Sequence, residues 1–377
     1  MKNRNIPLVV GFCALVIVMS VSFFALPKKD FSENEKRVLQ SAPKFSWSRL
    51  ADGRFFSSLD NYISDHFAGR DFWVGLNAYY RQAIGLNAAG EIYRGKNGWL
   101  MERPIDFEAN RRILQNNSQT IADFAQSTDI PVSLLCVPTT GYIMKSQLPA
   151  LHDAYPDDEM IQNIQAICGE TVQWIDVQDT LRNTAHGNTF YRTDHHWTSR
   201  GAYQAYQTLS RAWGLIPAKE AEYEIVSIPG FYGTTYSKSG LWATKADQIE
   251  TWNDRSVQSQ VSIYDENKPF PPEHKSMFFE THLDAADKYP VFLDGNHGLV
   301  KITSNASSGR LLVVRDSFAH CFAPFLARHF REIDLIDLRY FKEQTVSEYV
   351  KEQKYDRILF LYGLSSLAED RSLQWLA

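Results

Sequence analysis

Tyr191-Arg192-Thr193-Asp194-His195-His196-Trp197-Thr198 sets a carboxylate and two imidazoles within three residues, bracketed by aromatic and hydroxyl side chains. Far downstream, Leu311-Leu312-Val313-Val314 reads as a buried strand and runs into Arg315-Asp316-Ser317-Phe318-Ala319. The two stretches read as halves of one site. A serine hydroxyl is a poor nucleophile near neutral pH. It needs a base, and the base needs a group that fixes its tautomer. Asp194 and His196 are two apart, so an extended backbone projects both to the same side. Asp194 then holds one ring nitrogen of His196 and leaves the other for Ser317. His195 points the opposite way and is expected to satisfy the scaffold. A metal site is the rival reading, since Asp and His are ligand-type groups. Adjacent residues converge poorly on one ion and no HExxH spacing is present, so neither metal nor cofactor is expected.

Ser317 follows a strand and is expected to open a helix over residues 318–330. There its hydroxyl is exposed and its own N–H points into the same pocket, where the helix dipole favours negative charge. That geometry serves a nucleophile and one oxyanion donor together. The plainer reading makes Ser317 or Asp316 an N-cap. No GxSxG elbow is present, which argues against an ordinary α/β-hydrolase.

The surrounding chain alternates. Residues 130–137, Ile-Pro-Val-Ser-Leu-Leu-Cys-Val, form a short apolar run closed by turn residues, the pattern of a buried parallel strand. Further strands are expected over 172–177, 333–338 and 357–362. Helices are expected over 107–127, 157–169, 199–213 and 345–354, the third capped by Thr198 or Ser199. This is βαβ texture and predicts a doubly wound α/β sheet, with ligands at the C-terminal strand ends. Residues 219–290 break the pattern. Isolated aromatics (Tyr223, Phe231, Tyr232, Tyr236, Trp242, Trp252, Tyr264, Phe270) lie among Gly, Ser and Pro. They predict an insertion of short strands and loops beside the main sheet.

At the other end, Lys2 and Arg4 precede an apolar run over residues 6–26, long enough to cross a bilayer as a helix. The charges favour an N-terminus inside and the rest outside. Phe23-Phe24-Ala25-Leu26-Pro27 is a poor cleavage site, so an uncleaved anchor is favoured over a cleaved secretory signal. The expected organisation is an anchor over 1–28, a linker and helical segment over 29–90, and an α/β domain over 91–377. Within 46–84, Phe55, Leu59, Tyr62, Ile63 and Phe67 recur at helical spacing.

Composition sets outer bounds. Of 377 residues, 44% are apolar and 22% charged, as in ordinary globular proteins. The net charge of −5 gives no reason to expect nucleic acid. Aromatics at 13% suit sugar rings as well as large cores. Cys13, Cys136, Cys168 and Cys321 have no CxxC spacing and read as small apolar residues, with one disulfide left open.

Residues 191–198 resemble the signature of the DHHW family, which is named for Asp194-His195-His196-Trp197. Arg315-Asp316-Ser317-Phe318 resembles the serine block of the same group. Gly98-Trp99-Leu100, Tyr236-Ser237-Lys238-Ser239-Gly240 and Leu293-Asp294-Gly295-Asn296-His297 extend the match over most of the chain. It is similar to the SGNH-hydrolase-like proteins of alginate O-acetylation. The resemblance implies a flavodoxin-like SGNH fold with its serine and Asp/His blocks in permuted order. It also implies a triad of Ser317, His196 and Asp194 that moves acetyl groups on exported polysaccharide. A polysaccharide is then the acceptor, and a membrane-bound acyltransferase a candidate partner. Asn296 is a further candidate oxyanion donor, although turns also use Asn for backbone reasons. Arg315 is expected to pair with Asp316 or orient the pocket, and Tyr236, Lys238 and Trp197 to line the groove. The functional expectation is an extracytoplasmic serine O-acetyltransferase or acetylesterase. Its alternative is a non-catalytic glycan-binding or scaffold subunit.

Overall fold

The computed structural model describes residues 5–185, 187–264 and 273–376. Lys2, Arg4 and Phe270 lie outside them. The chain forms two compact units: residues up to Gly90 with Tyr236–Ala243, and Glu91–Thr235 with Thr244–Ala377.

In the first unit the N-terminal apolar run is one helix, α1 (Ile6–Ala25), with mean hydropathy 2.6 and no buried residue. Twenty residues at 1.5 Å each span about 30 Å, the thickness of a bilayer core. The periodic stretch becomes α2 (Arg54–Asp65) and α3 (Arg70–Ala83). Gly75 and Ala78 form the buried face of α3. A Cβ at Gly75 would come within 3.0 Å of the Trp242 indole, whose Nε1 donates to Asp71 O (2.9 Å). Residues 236–243 therefore lie on α3.

The second unit opens with a hairpin of β1 (Ile92–Arg94) and β2 (Leu100–Glu102), followed by α4 (Phe107–Gln126). Next come β3 (Val132–Val137), α5 (Asp157–Cys168), β4 (Gln173–Trp174) and α6 (Ser199–Ala212). β5 (Tyr223–Phe231) and β6 (Asp247–Asp254) pair as an antiparallel ribbon. β7 (Ser259–Tyr264), β8 (Glu273–His274), β9 (Leu299–Ser304), β10 (Arg310–Arg315) and β11 (Glu332–Ile336) follow, then α7 (Val346–Glu352), β12 (Arg357–Gly363) and α8 (Leu364–Glu369).

The main sheet has eight strands in the order β8-β7-β9-β11-β10-β12-β3-β4. From β11 to β4 every pair is parallel; β10 sits between β11 and β12, with Val313 opposite Leu335 and Leu359. Leu311 to Val314 are buried without alternation, as a strand covered on both faces must be. One core packs Leu114 and Ile121 of α4 and Ile161 of α5 on Leu134, Leu312 and Phe360. Burying each such side chain contributes about 1.5–3 kcal/mol.

Three expectations change. The sheet is mixed, because β9, β7 and β8 add antiparallel strands to one edge. Val261 and Ile263 of β7 are buried with exposed or half-buried neighbours, the alternation of an antiparallel strand with one face toward solvent. Part of the expected insertion thus belongs to the sheet rather than lying beside it. Finally, the helix expected over 318–330 is broken into a 3-10 turn, Ser317–Ala319, and one helical turn, Ala323–Leu326. Pro324 explains the break: it lacks an N–H, and its ring would clash with the carbonyl of residue 320 in a continuous helix. Cys136, Cys168 and Cys321 are buried free thiols and Cys13 is exposed, so no disulfide forms among the described residues.

Asp157, the first residue of α5, is wholly buried. Thr139 N–H and Oγ1 donate to its Oδ1 at 2.7 and 2.9 Å. Burial outweighs these bonds and pushes the carboxyl up from 3.8 to about 6. The folded state therefore binds a proton that the unfolded state has released in that window, and stability rises as pH falls through it. Unfolding curves between pH 7 and 4 are expected to show this as a slope of at most about 1.4 kcal/mol per pH unit, absent in Asp157→Asn.

Candidate active site

Residues 190–197 form a closed loop rather than a strand. Phe190 and Trp197 make an isolated antiparallel bridge, and Tyr191 N–H donates to His196 O (3.2 Å). Thr198 then caps α6, its side chain accepting from Gly201 N–H (3.1 Å). Asp247 fixes the entry to the loop: Oδ2 accepts from Thr193 N–H (2.8 Å) and Oγ1 (2.7 Å), and Oδ1 from Arg192 Nε (2.9 Å). Leu100 N–H of β2 donates to Arg192 O (2.7 Å).

The bend carries the Asp194 carboxylate inward, where it is 2% exposed. Its Oδ1 accepts from His196 N–H (2.8 Å) and faces His196 Nδ1 (2.5 Å); Oδ2 accepts from Thr234 N–H (2.6 Å). Burial alone would raise its pKa. The imidazoles of His196 and His195, with the His196 and Thr234 hydrogen bonds, outweigh that and hold it well below the carboxylate range. His196 Nε2 reaches Ser317 Oγ at 2.7 Å. The imidazole is sandwiched between Tyr289, nearly parallel with centroids 4.1 Å apart, and His195 at 3.9 Å.

Ser317 is half-buried on the turn after β10. Asp316, not Ser317, is the cap: its Oδ1 accepts from Phe318 N–H (2.9 Å) and its Oδ2 from Gly363 N–H (2.8 Å) at the end of β12. With one 3-10 turn behind it, Ser317 lacks the helix dipole expected there.

The structure thus brings Asp194, His196 and Ser317 together and disposes the other candidates differently. Trp197 is not a groove wall: it is wholly buried, stacks on Phe322 and donates from Nε1 to Phe318 O (3.0 Å). Arg315 is wholly buried and pairs with Asp337 (3.4 Å) instead of Asp316. Its Nη1 also donates to Nε2 of His320, which burial and the adjacent guanidinium keep neutral. Asn296 is exposed beside a cleft of about 360 Å³, with Oδ1 accepting from Arg339 Nη2 (3.5 Å). Tyr236 and Lys238 fall in the first unit; the Tyr236 hydroxyl donates to Trp242 O (3.4 Å).

His195 departs furthest from expectation. The bend stacks it on His196 and brings its Nδ1 to Thr234 Oγ1 (2.6 Å). Ligand atoms of Asp194, His195 and His196 lie within 4.8 Å of one another, so adjacency did not keep them apart. Those atoms are nevertheless engaged: His196 by Asp194 and Ser317, His195 by Thr234. Thr234, Asp247 and Tyr289 escaped sequence reasoning. They sit in Gly-Thr-Thr, Ala-Asp-Gln and Lys-Tyr-Pro, which carry no motif.

The fold, mixed α/β around a central mixed sheet, is similar to that of SGNH hydrolase-like proteins. Residues 92–224 match the family model described as SGNH hydrolase-like domain, acetyltransferase AlgX, and residues 160–336 match the DHHW protein model. No curated protein matches the chain. A DHHW family protein from Eubacterium siraeum is similar in structure, with TM-score 0.64 and 20% identity over 75% of this chain and 93% of that one. Bacillus cereus PatB1, solved with a sulfonyl adduct, gives 0.63 and 18% over 76% and 98%. The O-acetyltransferase domain of Pseudomonas putida AlgJ gives 0.47 and 16% over 76% and 96%.

Gly233 permits the approach of Thr234 to Asp194: a Cβ there would lie 2.1 Å from the Asp194 Cβ. Gly233→Ala is expected to destabilise the protein by about 1–3 kcal/mol, the usual cost of overpacking, as read by urea unfolding.

Proposed function

We propose that the chain is a serine-dependent O-acetyltransferase or acetylesterase acting on polysaccharide outside the cytoplasm. One observation carries this reading: the continuous chain from Ser317 Oγ through His196 to Asp194, at 2.7 and 2.5 Å. Ser317 Oγ attacks the acyl carbonyl and His196 Nε2 takes its proton. Asp194 keeps Nδ1 protonated and stabilises the imidazolium that forms. Ser317 N–H donates to the oxyanion. Collapse expels the leaving group, which takes the serine's former proton from His196, and leaves an acyl-serine. His196 then deprotonates an acceptor hydroxyl, which attacks the acyl carbon; the bond to Ser317 Oγ breaks and His196 returns that proton to it. A sugar hydroxyl as acceptor makes the chain a transferase, and water makes it an esterase.

The half-buried serine beside an almost wholly buried base and carboxylate supports a site open to substrate on the serine side alone. The acetyltransferase in the matched model's description supports acyl transfer. The α1 helix supports tethering to a membrane with the second unit outside, where a membrane-bound acyltransferase is the partner able to deliver acyl groups.

The reading makes a kinetic prediction. Wild type should hydrolyse nitrophenyl acetate, and Ser317→Ala or His196→Gln should each lower kcat roughly 10⁴-fold. Since PatB1 carries a sulfonyl adduct, a sulfonyl fluoride is a suitable probe: it should label wild type and spare Ser317→Ala. Hydrolysis or labelling that survives Ser317→Ala would rule the assignment out. Tyr289 stacks on the base and its hydroxyl donates to Ser317 O (3.3 Å), without touching Ser317 Oγ. Tyr289→Phe, which keeps the ring and removes only the hydrogen bond, should leave kcat within roughly 5-fold of wild type, and Tyr289→Ala should lower it further, with little change in KM in either.

A further inference from the structure

The first unit carries an apolar surface that the proposed chemistry does not use. On α2, Phe56 (60% exposed) and Ile63 are seven residues apart on one face. On α3, Phe72 (64%), Leu76 and Tyr80 (60%) follow at four-residue spacing, in a row distinct from the buried Gly75 and Ala78. Side chains this large are seldom lined up in water, and a contiguous apolar patch marks an interaction surface.

What covers it follows from α1. A groove of about 610 Å³ is lined by Leu15, Met19 and Phe23 of α1 together with Ile63, Phe67 and Trp73. Phe23 also meets Tyr62 of α2 edge-on, with centroids 5.9 Å apart. The α1 wall of this groove runs from Leu15 to Phe24, about 14 Å of helix and the depth of one leaflet. Phe67 is shared with a second, polar cleft of about 360 Å³, which holds Lys28 and Lys29 at the end of α1. Of the acids in that cleft, Asp65 pairs with Arg37 and Asp71 Oδ2 accepts from Asn34 Nδ2 (2.8 Å), while Glu33 lies in the cleft with Lys28 and Lys29. Apolar wall and cationic rim thus succeed one another along α1, as acyl chain and phosphate do along a phospholipid.

We infer that α2 and α3 are seated in the bilayer leaflet nearest the folded chain, with phospholipid acyl chains in the groove and headgroup phosphates at Lys28 and Lys29. The pair is then a monotopic element beside a spanning helix. It fixes the height and tilt of the first unit on the membrane, which one helix alone leaves free to rotate.

The test uses the full chain in vesicles of phosphatidylcholine and phosphatidylglycerol, with no other protein present. A nitroxide on Cys13, the exposed cysteine of α1, reports whether α1 is inserted. In a Cys13→Ser background, single labels at Phe56→Cys, Phe72→Cys and, as a control on the second unit, Lys351→Cys report on the surface. Collision with oxygen relative to a water-soluble nickel chelate is measured at each. At Phe56→Cys and Phe72→Cys the ratio should be roughly threefold or more above that at Lys351→Cys, as for groups among acyl chains. Ratios equal to the control while Cys13 is inserted overturn the inference and leave a protein as the occupant. A water-like ratio at Cys13 overturns it at its premise.

Discussion

A carboxylate buried to 2% exposure and still ionised is the constraint on which the site rests. Burial by itself would neutralise Asp194. Three donors and two imidazoles reverse that, and each comes with a structural demand. The bond from His196 N–H requires the tight bend of the loop. The bond from Thr234 N–H requires residues 232–234 to lie against it. Those residues follow β5, and Asp247 at the start of β6 holds Thr193 and Arg192. The β5–β6 ribbon is therefore part of the site rather than an ornament on the sheet.

The parts that could be read from sequence are those fixed by short-range rules. Buried runs such as 132–137 and 311–314 announce parallel strands, and a serine after such a run announces an exposed turn. Asp194 and His196 meet, but the premise of the two-residue argument that paired them fails. They meet because the loop closes through the Phe190–Trp197 bridge, not because the chain is extended. The same closure put His195 beside His196, where alternation had sent it away. Thr234, Asp247 and Tyr289 were invisible for a different reason. Each reaches the site across a long stretch of chain, 40 residues from Thr234 to Asp194 and 28 from Tyr289 to Ser317, and nothing local in Gly-Thr-Thr or Lys-Tyr-Pro encodes that distance. The break in the expected 318–330 helix was legible: Pro324 stands in the middle of it.

Behind Ser317 lies a second buried charge, and it is solved differently. Arg315 and Asp337 are both fully buried and meet at 3.4 Å. Such a pair seldom adds stability over an apolar one, but removing one partner strands the other. Here the pair is braced by a neutral His320 accepting from Arg315 and by Arg339 bonding both Asp337 oxygens, at 2.9 and 2.7 Å. Arg315 ends β10, two residues before Ser317. A charge with so many partners has one low-energy position, so it fixes where β10 stops and the turn begins.

The two halves of the site are also tied to each other away from the polar chain. Trp197 leaves the loop one residue after His196, stacks on Phe322 and donates to Phe318 O. Asp316, one residue before the serine, is bonded to the end of β12. Ser317 is thus held from one side by the sheet and from the other by the loop that carries His196. The 2.7 Å contact between His196 and Ser317 then follows from packing and backbone bonds, and does not depend on the hydroxyl–imidazole bond to hold it. In the proposed reaction, a hydroxyl held in this way gives up its proton without the imidazole moving away, which is what preorganisation requires of a nucleophile and its base.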